Sequence, residues 1–283
     1  MLPLVRTAHD FRRACQEALV DGPLGLVPTM GSLHEGHASL IRAARQATPT
    51  VAVPIFVNPS QFGPGEDLSS YPRDLERDLR RCAEAGASFV FAPPGPEEMY
   101  PSGFQTYVEP GPLALPLCGA RRPGHFRGVC TVVAKLFALS RADCAFFGEK
   151  DFQQLQVVRR MAQDLNLGTE VVGRPIVREN DGLALSSRNA YLSPEERQRA
   201  LGLWRALSET RVRFVSGERD PAALEQTAAE ELDRHGLRTD YAELRDPVEL
   251  QRPAQADDST RLFLAAFVGK TRLIDNGALG ETG

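Results

Sequence analysis

The chain has 283 residues, of which 42% are hydrophobic and 25% are charged, and its 33 basic and 37 acidic side chains leave a net charge of −4. These values are ordinary for a packed globular protein and exclude a disordered tail, a fibre and a small disulfide scaffold. The mildly acidic total argues against broad nonspecific nucleic-acid binding, and the length favours about two domains.

The first segment predicts a helix, capped by Thr7 and stopped by Gly22. It lacks a basic flank followed by an apolar stretch, so we expect no secretory signal. The longest uninterrupted apolar run, Leu262 to Val268, is far shorter than the roughly 20 residues that cross a bilayer. Five scattered cysteines without a close pair indicate reduced thiols and no zinc knuckle, which favours a cytoplasmic protein.

Residues 1–175 alternate short apolar runs with amphipathic segments, which predicts a parallel sheet covered by helices on both faces. Ligands of such sheets bind beyond the carboxyl ends of the strands, where unusual polar residues of this sequence cluster. Pro72 is expected at a first helical position and Gly86 at a helix stop. The expected strands are Leu24–Pro28, Thr50–Val57, Ser88–Ala92, Cys144–Phe147 and Thr169–Val172, and the expected helices are Ala38–Ala47, Pro72–Ala85, Phe126–Ser140 and Phe152–Leu165.

Residues 176–283 predict a smaller α+β domain with its own antiparallel sheet. Ser193-Pro194-Glu195-Glu196 has the spacing of a capping box with proline at the first helical position, and predicts a helix of about 20 residues. Pro221–His235 predicts a second helix. The expected strands are Thr239–Arg245, Arg261–Val268 and Arg272–Asp275.

The first polar cluster is Pro28-Thr29-Met30-Gly31 followed by His34-Glu35-Gly36-His37, between a predicted strand and a predicted helix. A spacing of three residues places both imidazoles near one face of the first helical turn. Free backbone N–H groups and the helix dipole favour an anion such as phosphate there. A solvated loop with two incidental histidines is the alternative. A zinc-protease site is disfavoured, because the histidines have i, i+3 rather than i, i+4 spacing.

Two further polar turns follow. In Gly148-Glu149-Lys150-Asp151, the glycine permits close approach of the backbone, the lysine offers a point charge for phosphate, and the aspartate can accept from ribose hydroxyls. In Ser186-Ser187-Arg188, two hydroxyls and a guanidinium suit a phosphate clamp that closes over its ligand. Either turn alone is also consistent with an ordinary solvated loop.

Taken together, the three clusters resemble the nucleotidyltransferase superfamily with its His-x-Gly-His motif, and more closely the pantothenate synthetase (pantoate–β-alanine ligase) family. The similarity runs through nearly the whole chain. Leu185 stands where methionine is often found, a change between apolar side chains of similar volume. The matching motifs are Pro28-Thr29-Met30-Gly31 with His34-Glu35-Gly36-His37, Phe56-Val57-Asn58-Pro59 with Gln61-Phe62, Arg122-Pro123-Gly124-His125-Phe126, Phe147-Gly148-Glu149-Lys150-Asp151 with Gln153-Gln154, and Leu185-Ser186-Ser187-Arg188-Asn189.

The resemblance implies ATP-dependent condensation of (R)-pantoate with β-alanine through pantoyl adenylate, releasing AMP and pyrophosphate, with Mg²⁺ accompanying ATP. It implies a Rossmann-like domain over residues 1–175 that binds the nucleotide and pantoate, followed by a smaller lid-like domain over residues 176–283. It also implies a cytoplasmic homodimer that acts on small molecules, with no nucleic-acid or membrane partner. No covalent enzyme intermediate is needed, which agrees with the lack of an obvious Ser-His-Asp set.

Residue roles implied by the resemblance fall into three groups, with the metal ligands left unassigned. The catalytic group is His37, as proton donor, with His34, Lys150 and Arg188. The ATP-binding group is Met30, Gly31, His34, Gly36, His37, Gly148, Glu149, Lys150, Asp151, Val177, Leu185, Ser186, Ser187 and Arg188. The substrate-binding group is Gln61, which is also expected near β-alanine, with Gln154, Pro28, Thr29, Met30, Asn58 and Arg122, and His125 accompanies Arg122 at the pocket.

Two alternatives stay open at this point. A cytidylyltransferase-like enzyme would join a nucleotide to a phosphorylated acceptor and would not require the paired glutamines. A catalytically idle nucleotide-binding module would bind ATP without producing AMP.

Overall fold

The computed structural model describes residues 2–281, which divide into two compact units. The first unit comprises the chain up to Glu149 together with Gln153–Pro175. The second comprises Lys150–Phe152 together with the residues from Ile176 onward. Each unit has a sheet of its own.

The first unit contains a sheet of six parallel strands within the described residues, which confirms the predicted α/β class. The strand order is β1-β4-β3-β2-β5-β6, so the chain runs outward in one direction from β2 and in the other from β5. Ligands of doubly wound sheets bind at such a reversal, beyond the carboxyl ends of the strands. The strands are β1 (Leu4–Val5), β2 (Leu24–Leu26), β3 (Thr50–Pro54), β4 (Phe89–Phe91), β5 (Cys144–Gly148) and β6 (Glu170–Arg174).

Five helices of this part of the chain correspond to the predicted ones, with differences at their ends, and the short helix Cys118–Arg121 was not predicted. Thr7 caps the first helix as predicted, but the edge strand β1 was missed because two residues are too short to show a pattern. Pro72 is not a first helical residue, since the side chain of Asp74 accepts from the Arg77 N–H and starts the helix later. Gly86 ends that helix with φ 94°, as expected. The helices are α1 (Ala8–Ala18), α2 (Glu35–Ala47), α3 (Leu75–Ala85), α4 (Cys118–Arg121), α5 (His125–Ser140) and α6 (Phe152–Asp164).

Strands β2 and β3 end earlier than predicted, and this shapes the region that follows them. The chain leaves regular pairing after Leu26 and Pro54, and an isolated bridge joins Thr29 to Ile55 beyond the sheet. Apolar side chains of β3, β5, α2 and the turn after β2 form one buried core, which includes Val27, Leu33, Ile41, Val53 and Phe146. The polar turn after β2 therefore starts from a rigid support.

The second unit has an antiparallel sheet in the order β7-β8-β9, as predicted for a smaller α+β domain. The capping box at Ser193 is present, but the predicted long helix is two helices that meet at Leu201. Gly202 packs closely against His235, and this requires a residue without a side chain, since a Cβ at Gly202 would lie 2.7 Å from the His235 Cβ. The elements are α7 (Pro194–Ala200), α8 (Gly202–Val215), α9 (Pro221–Arg234), β7 (Arg238–Arg245), β8 (Arg261–Val268) and β9 (Thr271–Ala278).

The cysteines pack as small apolar side chains. All five are buried, and within residues 2–281 none forms a disulfide. Burial raises the pKa of Cys15, Cys82 and Cys130 to about 12, so their thiolates are scarce near neutral pH. No helix in the described part of the chain is long and apolar enough to cross a membrane.

Candidate active site

Two histidine side chains cap the amino end of α2. His34 is the cap residue and His37 is the third residue of the helix. His34 Nδ1 accepts from the Gly36 N–H at 3.2 Å, and His37 Nδ1 accepts from the His34 N–H at 3.3 Å. The ring centroids lie 4.1 Å apart, which confirms that both imidazoles share one face of the first helical turn.

These contacts determine which nitrogen of each neutral ring carries the proton. A neutral imidazole has one N–H and one lone pair, and Nδ1 is the acceptor in both rings. The hydrogen-bond network thus assigns the proton to Nε2 of His34 and of His37. The expectation that free backbone N–H groups bind the anion is wrong for Gly36 and His37, because both N–H groups donate to His34.

The turn that precedes His34 is anchored by Asp78 of α3. The Asp78 carboxylate accepts from the N–H groups of Ser32 at 2.8 Å and Leu33 at 2.7 Å. Ser32 and Gly31 have positive φ values of 51° and 83°, and a Cβ at Gly31 would lie 3.0 Å from Asp78 Oδ2. The carboxylate thereby stabilises a backbone conformation that residues with a side chain rarely adopt.

Asp78 supports the turn before His34, and the sequence did not single it out. It is 1% exposed, and burial raises the pKa of its carboxyl although the N–H groups of Leu33 and Ser32 oppose the shift. A signal was present, because Asp78 lies between Leu75 and Cys82 at helical spacing on the apolar face of α3. A carboxylate on such a face requires hydrogen-bond partners from elsewhere in the chain.

Asn58 and Gln61 form a buried amide pair beside Met30. Asn58 Nδ2 donates to Gln61 Oε1 at 3.0 Å and to the Gly128 carbonyl at 3.1 Å, and Asn58 Oδ1 accepts from the Tyr100 hydroxyl at 2.8 Å. Gln61 Nε2 lies 2.9 Å from Met30 Sδ. Asn58 is 1% exposed and both ends of its amide are engaged. The Asn58 side chain thus contacts Gln61, and its contact with substrate stays a prediction.

Pro28 and Thr29 carry the chain from β2 to the histidine turn. Thr29 Oγ1 donates to the Pro54 carbonyl at 2.9 Å and accepts from the Gly31 N–H at 3.4 Å. The hydroxyl is therefore engaged within the turn, and Thr29 is buried while Pro28 is half-buried.

Arg122 and His125 hold the main chain of Gln61. Arg122 Nη1 lies 3.0 Å from His125 Nε2, and His125 Nδ1 lies 2.9 Å from the Gln61 carbonyl. Because a guanidinium only donates, His125 Nε2 accepts and its Nδ1–H donates to the carbonyl. Both residues thus position the loop that carries Gln61.

Glu66 completes this cluster and was not singled out from the sequence. Its two carboxylate oxygens accept from Nε and Nη2 of Arg122, each at 2.7 Å. Burial by itself would raise the pKa of Glu66, but the hydrogen bonds and the charge of Arg122 outweigh burial and hold that pKa below its usual range. Arg122 therefore forms an internal ion pair with Glu66, and its contact with substrate stays a prediction.

The adjacent glutamines at the start of α6 have different surroundings. Gln153 is 4% exposed, and its amide accepts from the Cys118 N–H and donates to the Leu113 and Pro116 carbonyls. Gln154 is half-buried. Gln153 therefore holds the preceding loop, and Gln154 stays the predicted substrate ligand.

The turn after β5 combines open space with charged side chains. A Cβ at Gly148 would meet no atom within 4 Å, which leaves room for close approach of a ligand. Glu149 and Lys150 are half-buried, and Asp151 is exposed.

The Ser-Ser-Arg loop extends from a short hairpin in the second unit. The Leu185 N–H donates to the Val177 carbonyl at 3.0 Å at the base of the hairpin. Ser186 Oγ accepts from the Arg188 N–H at 3.2 Å and caps the turn Ser187–Tyr191. Hydrogen bonds within the loop therefore organise the backbone of this phosphate-clamp candidate.

The described residues bring together two groups of predicted site residues. In the first unit, Met30 joins the histidine turn to Gln61 through its sulfur. In the second unit, Lys150 and the loop Ser187–Tyr191 are each supported by the same sheet. No set of three or more His, Cys, Asp or Glu side chains within residues 2–281 is arranged to hold a metal ion.

Comparisons with known proteins agree over nearly the full chain. A family model described as pantoate-beta-alanine ligase matches residues 3–278. A pantothenate synthetase from Myxococcus xanthus is 59% identical over 91% of this chain and 89% of its own, and one from Geobacter sulfurreducens is 56% identical over 98% and 99%. A solved pantothenate synthetase from Thermus thermophilus superposes with a TM-score of 0.93 at 48% identity, covering 98% of this chain and 99% of its own. A pantoate-beta-alanine ligase from Francisella tularensis, solved with beta-gamma ATP and beta-alanine, has a TM-score of 0.85 at 30% identity, covering 100% and 99%.

Proposed function

The chain belongs to the pantoate–β-alanine ligase family, and we propose that it performs the ATP-dependent ligation of pantoate to β-alanine through pantoyl adenylate. In the first step a pantoate carboxylate oxygen bonds to the α-phosphorus of ATP while the bond from that phosphorus to pyrophosphate breaks. In the second step the β-alanine amine attacks the acyl carbon, the bond to AMP breaks, and the amine proton passes to solvent. The mixed anhydride supplies the activation, so no enzyme nucleophile is required.

The histidine pair carries the proposal. As pyrophosphate leaves, charge develops on the phosphate oxygens, and donors positioned beforehand stabilise that charge. His34 and His37 offer Nε2–H groups because their Nδ1 atoms accept backbone hydrogens. His37 is the proton donor in this assignment, and Gly36 keeps the space that the His34 ring occupies, since a Cβ there would lie 2.9 Å from His34 Cε1.

Several charged and hydroxyl side chains bind ATP in this proposal. Lys150 and Arg188 supply positive charge for the phosphates, and Ser186 and Ser187 supply hydroxyl donors. The remaining members of the set shape the nucleotide site through their backbone or by leaving room for it, namely Met30, Gly31, Gly148, Glu149, Asp151, Val177 and Leu185. The ordered backbone of the loop after Leu185 supports this assignment.

The pantoate site is assigned to Gln61 and Gln154 with Pro28, Thr29 and Met30 around them. An amide suits this substrate, because one end donates to a carboxylate and the other accepts from hydroxyls. Asn58, Arg122 and His125 act by holding Gln61, whose side chain and carbonyl they contact. Gln61 is also assigned to the β-alanine site.

Mg²⁺ would accompany ATP in this proposal. The described residues contain no cluster of three metal-binding side chains. At phosphate sites Mg²⁺ commonly keeps several waters and takes few protein ligands. The ion would neutralise phosphate charge, and this chain's residues orient the phosphates.

The remaining features of the proposal concern organisation. The domain over residues 1–175 binds nucleotide and pantoate, the domain over residues 176–283 acts as a lid, and the protein is a cytoplasmic homodimer. The five cysteines without a described disulfide support a reducing compartment. Light scattering of the purified protein measures the mass, and a monomer at micromolar concentration would contradict the dimer.

Incubation with MgATP, pantoate and β-alanine tests the function. The expected products are AMP, pyrophosphate and the amide in equal amounts, and ATP–pyrophosphate exchange should require pantoate but not β-alanine. Formation of a nucleotide conjugate as the final product would favour a cytidylyltransferase-like enzyme. ATP binding without AMP would favour the idle nucleotide-binding module.

A further inference from the structure

Two adjacent polar residues near the end of β9 are almost completely buried. Asp275 is 3% exposed and Asn276 is 2% exposed, opposite Leu264 and Phe263 of β8. A buried carboxylate and a buried amide destabilise a strand unless they are hydrogen-bonded, so their partners indicate what they do. Successive side chains of a strand leave on opposite faces, which lets this pair serve two different segments.

Asn276 holds the Lys150 turn. Its Nδ2 donates to the Lys150 carbonyl at 2.8 Å, across 126 residues of sequence. Its Oδ1 accepts from Arg261 Nη1 at 2.6 Å. The Arg261 guanidinium lies 4.0 Å from the ring centroid of Phe152, two residues after Lys150. The turn is thus held at two points, and the Asn276 amide has only one orientation that satisfies both partners.

Asp275 holds the hairpin that leads to the Ser-Ser-Arg loop. Its carboxylate accepts from Arg178 Nη1 at 2.7 Å and from Nη2 at 2.8 Å. Arg178 Nη1 also donates to the Gly182 carbonyl at 3.0 Å, and its guanidinium lies 4.3 Å from the Trp204 ring centroid. Arg178 pairs with Ala184 in an isolated antiparallel bridge, directly before the loop.

We propose that Asp275 and Asn276 are positioning residues for the ligase reaction. Asn276 sets the place of Lys150 through its carbonyl, and Asp275 sets the place of the loop at Ser186–Arg188 through Arg178. Because the two residues are neighbours on one strand, both phosphate-binding segments have a common rigid support, and such supports position catalytic groups more closely than loops do. The inference rests on the proposed function for its kinetic consequences and on the contacts alone for its structural ones.

Asn276→Asp tests the first contact with almost no change of shape. The new carboxylate still accepts from Arg261, but it faces the Lys150 carbonyl with an oxygen instead of an N–H. We expect kcat/KM for ATP in the ATP–pyrophosphate exchange to fall roughly tenfold, the scale for one hydrogen bond. The KM of β-alanine in the complete reaction should stay unchanged. Asn276→Ala, which removes the contact without repulsion, should give a smaller fall of the same kind.

Asp275→Asn and Arg178→Lys test the second contact. Each variant keeps part of the hydrogen bonding but loses the bidentate ion pair between Arg178 and Asp275. Hydrogen exchange should become faster at residues 182–189 in both variants and stay unchanged at residues 149–154. Asn276→Asp should show the reverse pattern.

Thr210→Val is the matched control within the same unit. Thr210 is 0% exposed, and its hydroxyl donates to the Ala206 carbonyl at 2.7 Å inside α8. This variant should lose thermal stability comparably but keep wild-type kinetics for ATP. The proposal is overturned if Asn276→Asp exchanges ATP and pyrophosphate like wild type, if all KM values change together, or if Thr210→Val shows the same kinetic change. If the wild-type protein has no ligase activity, the proposed function is refuted. Hydrogen exchange still tests the two contacts in that case, because it does not depend on activity.

Discussion

Replacing Asp78 by asparagine should weaken both the fold and the reaction, because one carboxylate holds the turn that presents the histidines. An asparagine keeps one acceptor, so one of the two hydrogen bonds to Ser32 and Leu33 is lost and an amide N–H faces a backbone N–H. A hydrogen bond to a charged group contributes about 1.5–3 kcal/mol, and a buried unsatisfied donor costs about 1–3 kcal/mol. The substitution also removes a buried charge, which offsets part of the lost stability. The raised pKa of Asp78 indicates that burial disfavours this charge. We expect a net loss of about 2–3 kcal/mol in the free energy of unfolding.

The kinetic effect should exceed what the loss of stability explains. A displacement of about 1 Å at the reacting groups can cost about a hundredfold in rate, and the turn leads directly into His34. Urea unfolding measures the stability, and ATP–pyrophosphate exchange on the folded protein measures the rate. Asp74→Ala is the control, because the Asp74 side chain caps the same helix at the Arg77 N–H, whereas the Asp78 carboxylate accepts from the turn. Wild-type exchange in Asp78→Asn, or an equal fall in Asp74→Ala, would refute the anchoring role.

Four other predictions follow from the site. His37→Ala should lower adenylate formation by about 10²–10³, the scale for one transition-state donor, whereas His37→Asn should retain the acceptor for the His34 N–H and therefore the stability; near-normal turnover in either variant would contradict the role of Nε2. Gly36→Ala should lower kcat more than it weakens ATP binding, because the new Cβ would push against the His34 ring at 2.9 Å; stopped-flow ATP binding and steady-state turnover separate the two effects. Glu66 has a lowered pKa, so its ion pair should stabilise the protein above the ordinary carboxyl pKa near 4.5 and lose this effect as pH falls through the folded-state value; unfolding curves of wild type and Glu66→Gln should converge in acid, and parallel curves would contradict the assignment. Hydrogen exchange at residues 185–189 should slow when ATP and pantoate are added, and unchanged exchange would remove the lid hypothesis.

The sequence determined those parts of the protein that depend on neighbouring residues. The spacing of His34 and His37 placed both rings on one helical turn, because residues three apart are adjacent there. The capping box at Ser193 and the stop at Gly86 were predictable for the same reason. The alternation of strand and helix indicated the parallel sheet, and the family resemblance indicated the reaction.

Tertiary structure alone decided which polar side chains face a ligand and which hold the site. The Asn58 and Gln61 amides belong to one short motif, yet Asn58 is enclosed by Gly128 and Tyr100, which lie 70 and 42 residues away. Asp78 meets its turn across 46 residues and Asn276 meets Lys150 across 126. The periodicity of apolar residues in the sequence indicates only which face of a helix or strand is buried. It does not indicate which distant backbone group forms a hydrogen bond with a polar side chain on that face. Those partners are set by how the elements pack, because a buried polar group takes whatever donor or acceptor packing brings within reach.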